Sequence, residues 1–309
     1  HAEGNPADRK TSNKKKKKGR LLMTTCSHEN TRARDTLEYW NTALIQHGRS
    51  GNRIYLMKAG NEDPGALADH LEALAAEKGY DKIFAKVSSD LKPTFADKGY
   101  TVEAEVPGFF NGKLTGFFMA RFLSPARAAA KDPEDLARIL KLARETPAVE
   151  QIPPLPEGLH FHKAGISDAE NLAIIYREVF ASYPFPIHDP AYIRKTMAEN
   201  ITYYIIHANG VPSAASSAER DDDAQNVEMT DFATIPTFRG KGLALFLLDH
   251  MEQDMKQRGM KTTFTIVRSC SAGMNITFAR MGYCYDGTLI NNTQICGEIE
   301  SMNVWHKPL

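Results

Sequence analysis

Hydrophobic positions recur along this chain with two different periods, which predict strands in some segments and helices in others. Two short apolar runs predict buried strands, Arg53 to Lys58 (RIYLMK) and Lys82 to Val87 (KIFAKV). Between them, Asp63 and Pro64 predict the start of a helix and Gly79 predicts its end. Apolar side chains recur at helical spacing within this interval at Leu67, Leu71, Leu74 and Ala75.

The pattern continues with a short helix and a hairpin. Phe95 lies in the predicted helix, and the runs from Tyr100 to Val106 and from Leu114 to Phe122 alternate like paired strands. Asn111-Gly112 between them is typical of a tight turn.

A connector then divides the chain into two predicted domains. It comprises a helix that begins after Asp132 and the proline-dense run Pro153 to Pro156 (PPLP), which predicts a stiff spacer. We assign residues 126–157 to this linker, 21–125 to a first domain and 158–309 to a second.

In the second domain the pattern predicts, in chain order, a strand, two helices, three strands, a helix, a strand, a helix and two strands. Its last six elements are predicted at Val227 to Ile235, Gly240 to Gly259, Lys261 to Val267, Met274 to Met281, Tyr283 to Ile290 and Glu298 to His306.

A repeated pattern links the two domains. The segment Phe95 to Tyr100 (FADKGY) matches Phe278 to Tyr283 (FARMGY), and the same offset pairs Met119 with Met302. The order of predicted elements around both segments also agrees. We therefore expect the first domain to be a degenerate copy of half of the second, one that extends the sheet or covers the substrate site.

Composition narrows the class of protein. At 309 residues, with 42% hydrophobic and 25% charged residues, the chain is long enough for two domains. Basic and acidic residues both number 38, and this balance argues against nucleic acid as the main partner. No apolar run approaches the roughly 18 residues of a membrane helix, and neither the cysteines nor the histidines show metal-binding spacing. We expect a cytoplasmic protein without metal or membrane partner, and leave a homodimer open.

The N-terminal stretch differs from the rest. Residues 1–20 are almost without large apolar side chains and include the basic run Lys14 to Lys18. This composition predicts a disordered basic tail or an expression remnant.

One loop carries most of the chemical information. It reads Arg239-Gly240-Lys241-Gly242-Leu243-Ala244 and opens a predicted helix. A helix start offers unpaired N–H groups and the positive end of the helix dipole, which attract phosphate. Its spacing fits neither a Walker loop nor a Rossmann fingerprint. We expect it to bind a diphosphate, the alternative being a loop that merely turns.

This loop resembles the [Q/R]-x-x-G-x-[G/A] signature of the GNAT superfamily of N-acetyltransferases, and Asn275 to Tyr283 (NITFARMGY) resembles that superfamily's next motif. Both domains are also similar to the beta-lysine N6-acetyltransferases. The segments that carry this similarity are Arg53 to Lys58, Lys82 to Val87, Tyr183 to Ile187, Glu228 to Asp231, Ser271 to Asn275 and Glu300 to Trp305.

The resemblance implies an α/β (α+β) protein with the GNAT fold, a mixed and mostly antiparallel central sheet flanked by helices. It also implies acetyl-CoA as co-substrate, beta-lysine as the small-molecule amine and the compatible solute N6-acetyl-beta-lysine as product. The implied coenzyme-binding residues are Phe232, Ala233, Thr234, Ile235, Arg239, Gly240, Lys241, Gly242, Leu243, Ala244 and Asn275.

A transferred acetyl group needs a free amine, and an amine with a pKa of about 10.4 needs a base near neutral pH. Glu228 is the first choice for this base or for an anchor of the amine, and Asp231 is the second, provided that a bulge brings both to one face of their strand. The alternative is that either acid only holds the substrate cation. The backbone N–H of Phe232 or Ala233 is expected to stabilise the oxyanion.

The leaving thiolate of GNAT enzymes often takes a proton from a tyrosine. Phe278 stands at that position in this chain, so Tyr283 or water remains as the acid, or the thiolate leaves unprotonated.

The segment from Tyr183 to Asp189 predicts a rigid lid over an aliphatic diamine. Tyr183, Phe185 and Tyr203 are the candidate substrate-binding residues, with an ordinary core role as the alternative. Acetylation of another amine, or acyl-CoA binding without turnover, also stays open.

Overall fold

The computed structural model describes residues 35–309, and the predicted tail lies outside this range. The strands in this range form one 13-stranded sheet. In chain order they are β1 (Thr36–Trp40), β2 (Ala43–Gly48), β3 (Arg53–Lys58), β4 (Lys82–Ser88), β5 (Thr101–Phe110), β6 (Leu114–Phe122), β7 (Leu159–Lys163), β8 (Ile201–Ala208), β9 (Val211–Asp221), β10 (Asn226–Thr234), β11 (Thr262–Arg268), β12 (Cys284–Ile295) and β13 (Glu298–Pro308). In space they follow the order β1-β2-β3-β4-β6-β5-β12-β13-β11-β10-β9-β8-β7.

Helices pack on this sheet. They are α1 (Pro64–Lys78), α2 (Lys92–Asp97), α3 (Pro125–Ala128), α4 (Pro133–Glu145), α5 (Ala169–Val179), α6 (Pro190–Ala198), α7 (Leu243–Gln257) and α8 (Ala272–Arg280). The pairs β3–β4 and β10–β11 are parallel, while the other neighbours are antiparallel. The mixed sheet and the order of elements predicted for the second domain are confirmed.

Local signals place α1 as predicted. The Asp63 carboxylate accepts the N–H of Ala66 at 2.8 Å, Pro64 opens the helix, and Gly79 ends it with φ of 70°. The buried face carries the predicted leucines Leu67, Leu71 and Leu74 with Ala75.

The two halves repeat one topology. The series β3-α1-β4-α2-β5-β6 and β10-α7-β11-α8-β12-β13 have the same order of elements, and both arrange their strands as first, second, fourth and third. Within the parallel pairs, Tyr55 lies opposite Phe84 as Glu228 lies opposite Phe264. This agreement supports the predicted degenerate copy and makes Tyr55 the counterpart of Glu228.

The first half extends the sheet of the second through β5 and β12, which meet at Ala104 and Gly287. A Cβ at Gly287 would lie 2.0 Å from the Glu103 carbonyl oxygen, so only glycine allows this approach. Beside it, the buried Lys82 ammonium donates to the Glu103 carboxylate at 2.8 Å and to the Ile290 carbonyl at 2.7 Å. A hydrophobic cluster that includes Tyr55, Phe84, Phe264 and Met302 is shared by both halves.

Strands β1 and β2 were not predicted, and β5 and β12 extend further than predicted. Four of the five residues of β1 are exposed, which removes the alternation that marks a half-buried strand. In β2 the polar residues Gln46 and His47 are buried, so the sequence lacks the run of apolar residues that would predict a buried strand.

Candidate active site

Strand β10 carries two acidic side chains that reach one cavity because its pairing is interrupted. Glu228 pairs in register with Glu219 of β9, and the register then shifts between Thr230 and Ala233. Asp231 lies at this bulge in the left-handed region, with φ of 54°. A regular strand would point Glu228 and Asp231 to opposite faces. The bulge that was the condition for pairing these two acids in one site is present, and both residues line the cavity.

The glycine loop leads from β10 into α7. Gly240 and Gly242 have φ of 78° and 74°, a conformation that glycine adopts without the steric cost of a Cβ. A Cβ at either position would meet no atom within 4 Å among residues 35–309, so open space lies beside the backbone. Gly242 caps α7 and supplies no side-chain acceptor for the N–H groups of the first turn. The start of α7 therefore keeps donors for an anion.

Two cationic residues flank these glycines. The Arg239 Nε donates to the Thr234 carbonyl oxygen at 3.1 Å, which holds the guanidinium at the loop. The Lys241 ammonium lies 5.2 Å from the centre of the Phe238 ring. Behind the loop, α7 is fixed to the sheet by buried side chains at Leu243, Leu245, Leu247, Leu248, Met251 and Met255.

One cavity of about 790 Å³ joins the loop to the acidic side chains. Twelve of the predicted site residues line it: Tyr183, Phe185, Tyr203, Glu228, Asp231, Phe232, Thr234, Arg239, Gly240, Gly242, Leu243 and Ala244. Five predicted residues do not belong to its lining: Ala233, Ile235, Lys241, Asn275 and Tyr283.

The Asn275 side chain is fully engaged within the protein. Its amide nitrogen donates to the carbonyl oxygens of Arg268 and Ser271 at 3.0 and 2.8 Å. Its oxygen accepts from Asn303 and Trp305 at 2.8 and 3.0 Å. These four bonds use all that the side chain can make. These bonds fix α8 to β11 and β13. They do not support the predicted contact of this side chain with coenzyme A, which stays a prediction.

Tyr283 is likewise turned away from the cavity. Its buried hydroxyl pairs with the Thr263 hydroxyl at 3.0 Å, so the geometry does not support its prediction as general acid. Phe278 does line the cavity and packs edge-on against Phe232, with ring centres 5.6 Å apart. The cavity wall is thus apolar where a tyrosine acid was sought.

Glu228 has an environment unlike that of an ordinary surface acid. Its pKa is raised to about 8: burial is the largest cause, Lys86 opposes the rise, and Glu219 and Asp231 add to it. A carboxyl group of this pKa accepts a proton near neutral pH far more readily than an unperturbed one. The burial of Glu219 also raises the pKa of that carboxyl.

Asp231 connects the bulge to the predicted lid. Its carboxylate accepts the hydroxyl of Tyr183 at 2.5 Å and that of Ser217 at 2.6 Å. Burial raises the pKa of Asp231, whereas these hydrogen bonds lower it. Tyr203 also lines the cavity, but its hydroxyl pairs with Thr196 at 2.9 Å.

Several residues of the cavity wall were not predicted from the sequence. Arg53, Tyr55, Phe84 and Lys86 come from the first half, and Glu219 comes from β9. The first half thus both extends the sheet and lines the cavity. The available signal was a basic residue in a mostly apolar strand, at Arg53 and at Lys86, but no motif marks either one.

Residues 35–309 contain no group of three or more His, Cys, Asp or Glu side chains placed to hold a metal ion. In the same range, each helix is too short or too polar to cross a membrane.

The chain is similar to several known proteins. Residues 172–283 match the model of the acetyltransferase (GNAT) family. A beta-lysine N(6)-acetyltransferase of Methanococcus maripaludis is 42% identical over 86% of this chain and 96% of its own length. The N-acetyltransferase YodP of Bacillus subtilis is 32% identical over 87% of this chain and 96% of its own. A beta-lysine N(6)-acetyltransferase of Methanosarcina mazei is 36% identical over 50% of this chain and 57% of its own.

Proposed function

Because the chain belongs to the beta-lysine N6-acetyltransferase family of GNAT proteins, we propose that it transfers an acetyl group from acetyl-CoA to the N6 amine of beta-lysine. The observation that carries this proposal is the cavity that joins the acid Glu228 to a glycine-rich helix start without a side-chain cap. One end suits a diphosphate, and the other suits a cationic amine.

The residues present fit acetyl-CoA. Gly240 and Gly242 leave open space at the start of α7, and Arg239 adds positive charge beside it. The pyrophosphate would lie against these N–H groups, as anions do at helix N-termini. When bound, acetyl-CoA supplies the thioester carbon that the amine attacks.

Glu228 is proposed to take the proton of the incoming ammonium group. The free amine has a pKa of about 10.4, so at pH 7 deprotonation in water costs about 4–5 kcal/mol. A carboxylate with a pKa of about 8 lowers this cost while still reaching its ionised form in the physiological range. The cationic amine in turn favours the ionised carboxylate.

The bulge supplies the remaining groups. Phe232 lies in the cavity wall between Thr230 and Ala233, where regular pairing with β9 is interrupted. Its backbone N–H is proposed to stabilise the negative charge that develops on the acetyl oxygen, an effect typically of about 3–4 kcal/mol. With Phe278 in the wall and Tyr283 outside it, the thiolate is proposed to leave without a protein acid. A thiol pKa of about 8.5 allows this.

The test is a panel of acceptors. Release of coenzyme A from acetyl-CoA is measured with beta-lysine, lysine, ornithine and spermidine at equal concentrations. The proposal expects the highest kcat/KM for beta-lysine. Preference for spermidine would contradict the acceptor, and release with none of these amines would contradict enzymatic turnover of this class of amine.

A further inference from the structure

The acceptor in the proposed function carries a carboxylate as well as its amines. A carboxylate that enters a partly desolvated cavity loses hydration, and it binds well only where a cation or strong donors replace the water. The cavity must therefore offer a positive group for this carboxylate, in addition to the arginine at the coenzyme loop.

The cationic residues of the wall fall into two groups. Arg239, Arg268 and Arg280 come from the second half, and Arg268 is already committed to a two-pronged ion pair with Glu300 at 2.7 and 2.6 Å. The others, Arg53 and Lys86, come from the first half.

Arg53 and Lys86 belong to one surface. Arg53 and Tyr55 alternate on β3, Phe84 and Lys86 alternate on β4, and Tyr55 pairs with Phe84 across the two strands. All four side chains line the cavity. A strand period of two puts them on the same face of the sheet. The first half thus presents a cationic and aromatic surface to the acids of the second half.

The Arg53 side chain is held by hydrogen bonds within the protein. One terminal nitrogen donates to the Asn292 carbonyl at 2.6 Å and to the Thr293 hydroxyl at 3.2 Å, so the guanidinium fixes β12 against β3. Its central carbon lies 5.3 Å from the centre of the Tyr55 ring. Its charge contributes to the cavity, but its position is fixed by the fold.

Lys86 is placed differently. Its ammonium lies 5.2, 5.6 and 5.9 Å from the ring centres of Tyr55, Phe264 and Phe109. Burial lowers the pKa of its ammonium, whereas the nearby Tyr55, Glu228 and Glu219 raise it. An ammonium group has three donors, and aromatic faces hold a cation without using them all. Lys86 therefore keeps donors for an incoming anion.

From this placement we propose that Lys86, supported by Arg53, binds the acceptor's carboxylate, so that the degenerate first half selects amino acids over polyamines. Glu219, directly opposite Glu228, then faces the acceptor's second ammonium group. The inference rests on the proposed function and adds to it the reason why an amino acid is preferred.

The test compares beta-lysine with its carboxamide, which keeps both amines and loses the negative charge, in wild type and in Lys86→Met. We expect Lys86→Met to raise KM for beta-lysine by about 30-fold or more, as the loss of a buried charge partner does. For the carboxamide the change should stay below about threefold. KM for acetyl-CoA should not change, which also reports that the variant is folded.

Two further variants separate the charge of Lys86 from a general loss of charge in the first half. Lys86→Arg keeps the charge and should restore most of the preference for the acid. Lys92→Met removes an equal charge from the first half at a residue that pairs with Glu105 outside the cavity wall, and it should change neither KM.

Contrary outcomes can be distinguished. If Lys86→Met weakens the acid and the carboxamide equally, Lys86 acts only through Glu228 and the inference is wrong, although the proposed function stands. If wild type prefers spermidine, both are wrong. If wild type prefers another diamino acid, the acceptor changes, and the same acid-to-amide comparison on that compound decides on Lys86.

Discussion

Glu228 and Glu219 lie directly opposite each other on adjacent antiparallel strands, and both carboxyl groups line the same cavity. Like charges in such a cross-strand pair are destabilising, and burial adds to the effect. The positive charge of Lys86, from the first half, offsets part of this repulsion, since it lowers the pKa of both carboxyl groups. A site that holds two acids at this cost is suited to a ligand with two positive charges.

The first prediction concerns the pH dependence of kcat/KM. The pKa of Glu228 is about 8, so its proton-accepting form is scarce below pH 7 and predominates above pH 9. With beta-lysine, kcat/KM of wild type should rise with pH, bend near pH 8 and level off above about pH 9. Glu228→Gln should lower it by about 10²–10⁴-fold at pH 8. The variant should keep rising towards pH 10, because it depends on free amine.

Glu105→Gln is the control, since Glu105 is a half-exposed acid of β5 outside the cavity wall. It should match wild type throughout. A Glu228→Gln variant that levels off at the same pH as wild type would assign the ionisation to another group.

The second prediction concerns stability. The pKa of Glu228 is raised in the folded protein, so its stabilising, protonated form is fully present below the unfolded pKa of about 4.3. That contribution is lost as pH rises towards 8. Glu228→Gln should therefore increase the free energy of unfolding by about 1–3 kcal/mol at pH 9 and by much less at pH 4.5. Chemical denaturation at both pH values measures this, and a variant less stable than wild type at pH 9 would oppose it.

The third prediction separates backbone strain from binding at the glycine loop. Gly242 and Gly79 have similar φ of 74° and 70°, and open space surrounds a Cβ at both. Alanine at either position should destabilise the protein by about 1 kcal/mol. Only Gly242→Ala should raise KM for acetyl-CoA, by about tenfold. Equal KM values in the two variants would mean that the loop does not bind the coenzyme.

The fourth prediction concerns the segment around Tyr183. Tyr183→Phe removes the 2.5 Å hydrogen bond to Asp231 and frees the lid from the bulge. We expect kcat/KM for beta-lysine to fall about tenfold, in line with a lost hydrogen bond to a charged group. Tyr203→Phe, which removes the bond to Thr196 instead, should cost less activity. A larger loss in Tyr203→Phe would place the acceptor nearer to β8 than to the lid.

The parts of the site that could be predicted from the sequence are those encoded by residues close together in the chain. The loop from Arg239 to Ala244 is a continuous motif whose glycines and following helix act within a few residues, so its place at the cavity could be predicted. Asp231 and Glu228 could be named together only on the condition of a bulge, because strand periodicity separates residues three apart.

Long-range pairing explains the rest. Lys86 and Arg53 reach the cavity only because β5 and β12 join two halves of one sheet, and no local pattern encodes that junction. The motif around Asn275 does not reveal that Asn303 and Trp305 donate to its oxygen, because those partners come from a strand two elements away. The same limit applies to Glu219, whose importance arises from its register with Glu228.

The position of the acetyl group on the product tests the central claim most directly. Beta-lysine offers two amines, and the account places the N6 amine at Glu228 while the carboxylate is held at Lys86. Mass spectrometry and NMR of the product formed by wild type should show N6-acetyl-beta-lysine alone. A product acetylated at the amine next to the carboxyl end would reverse the substrate in the cavity and contradict the account.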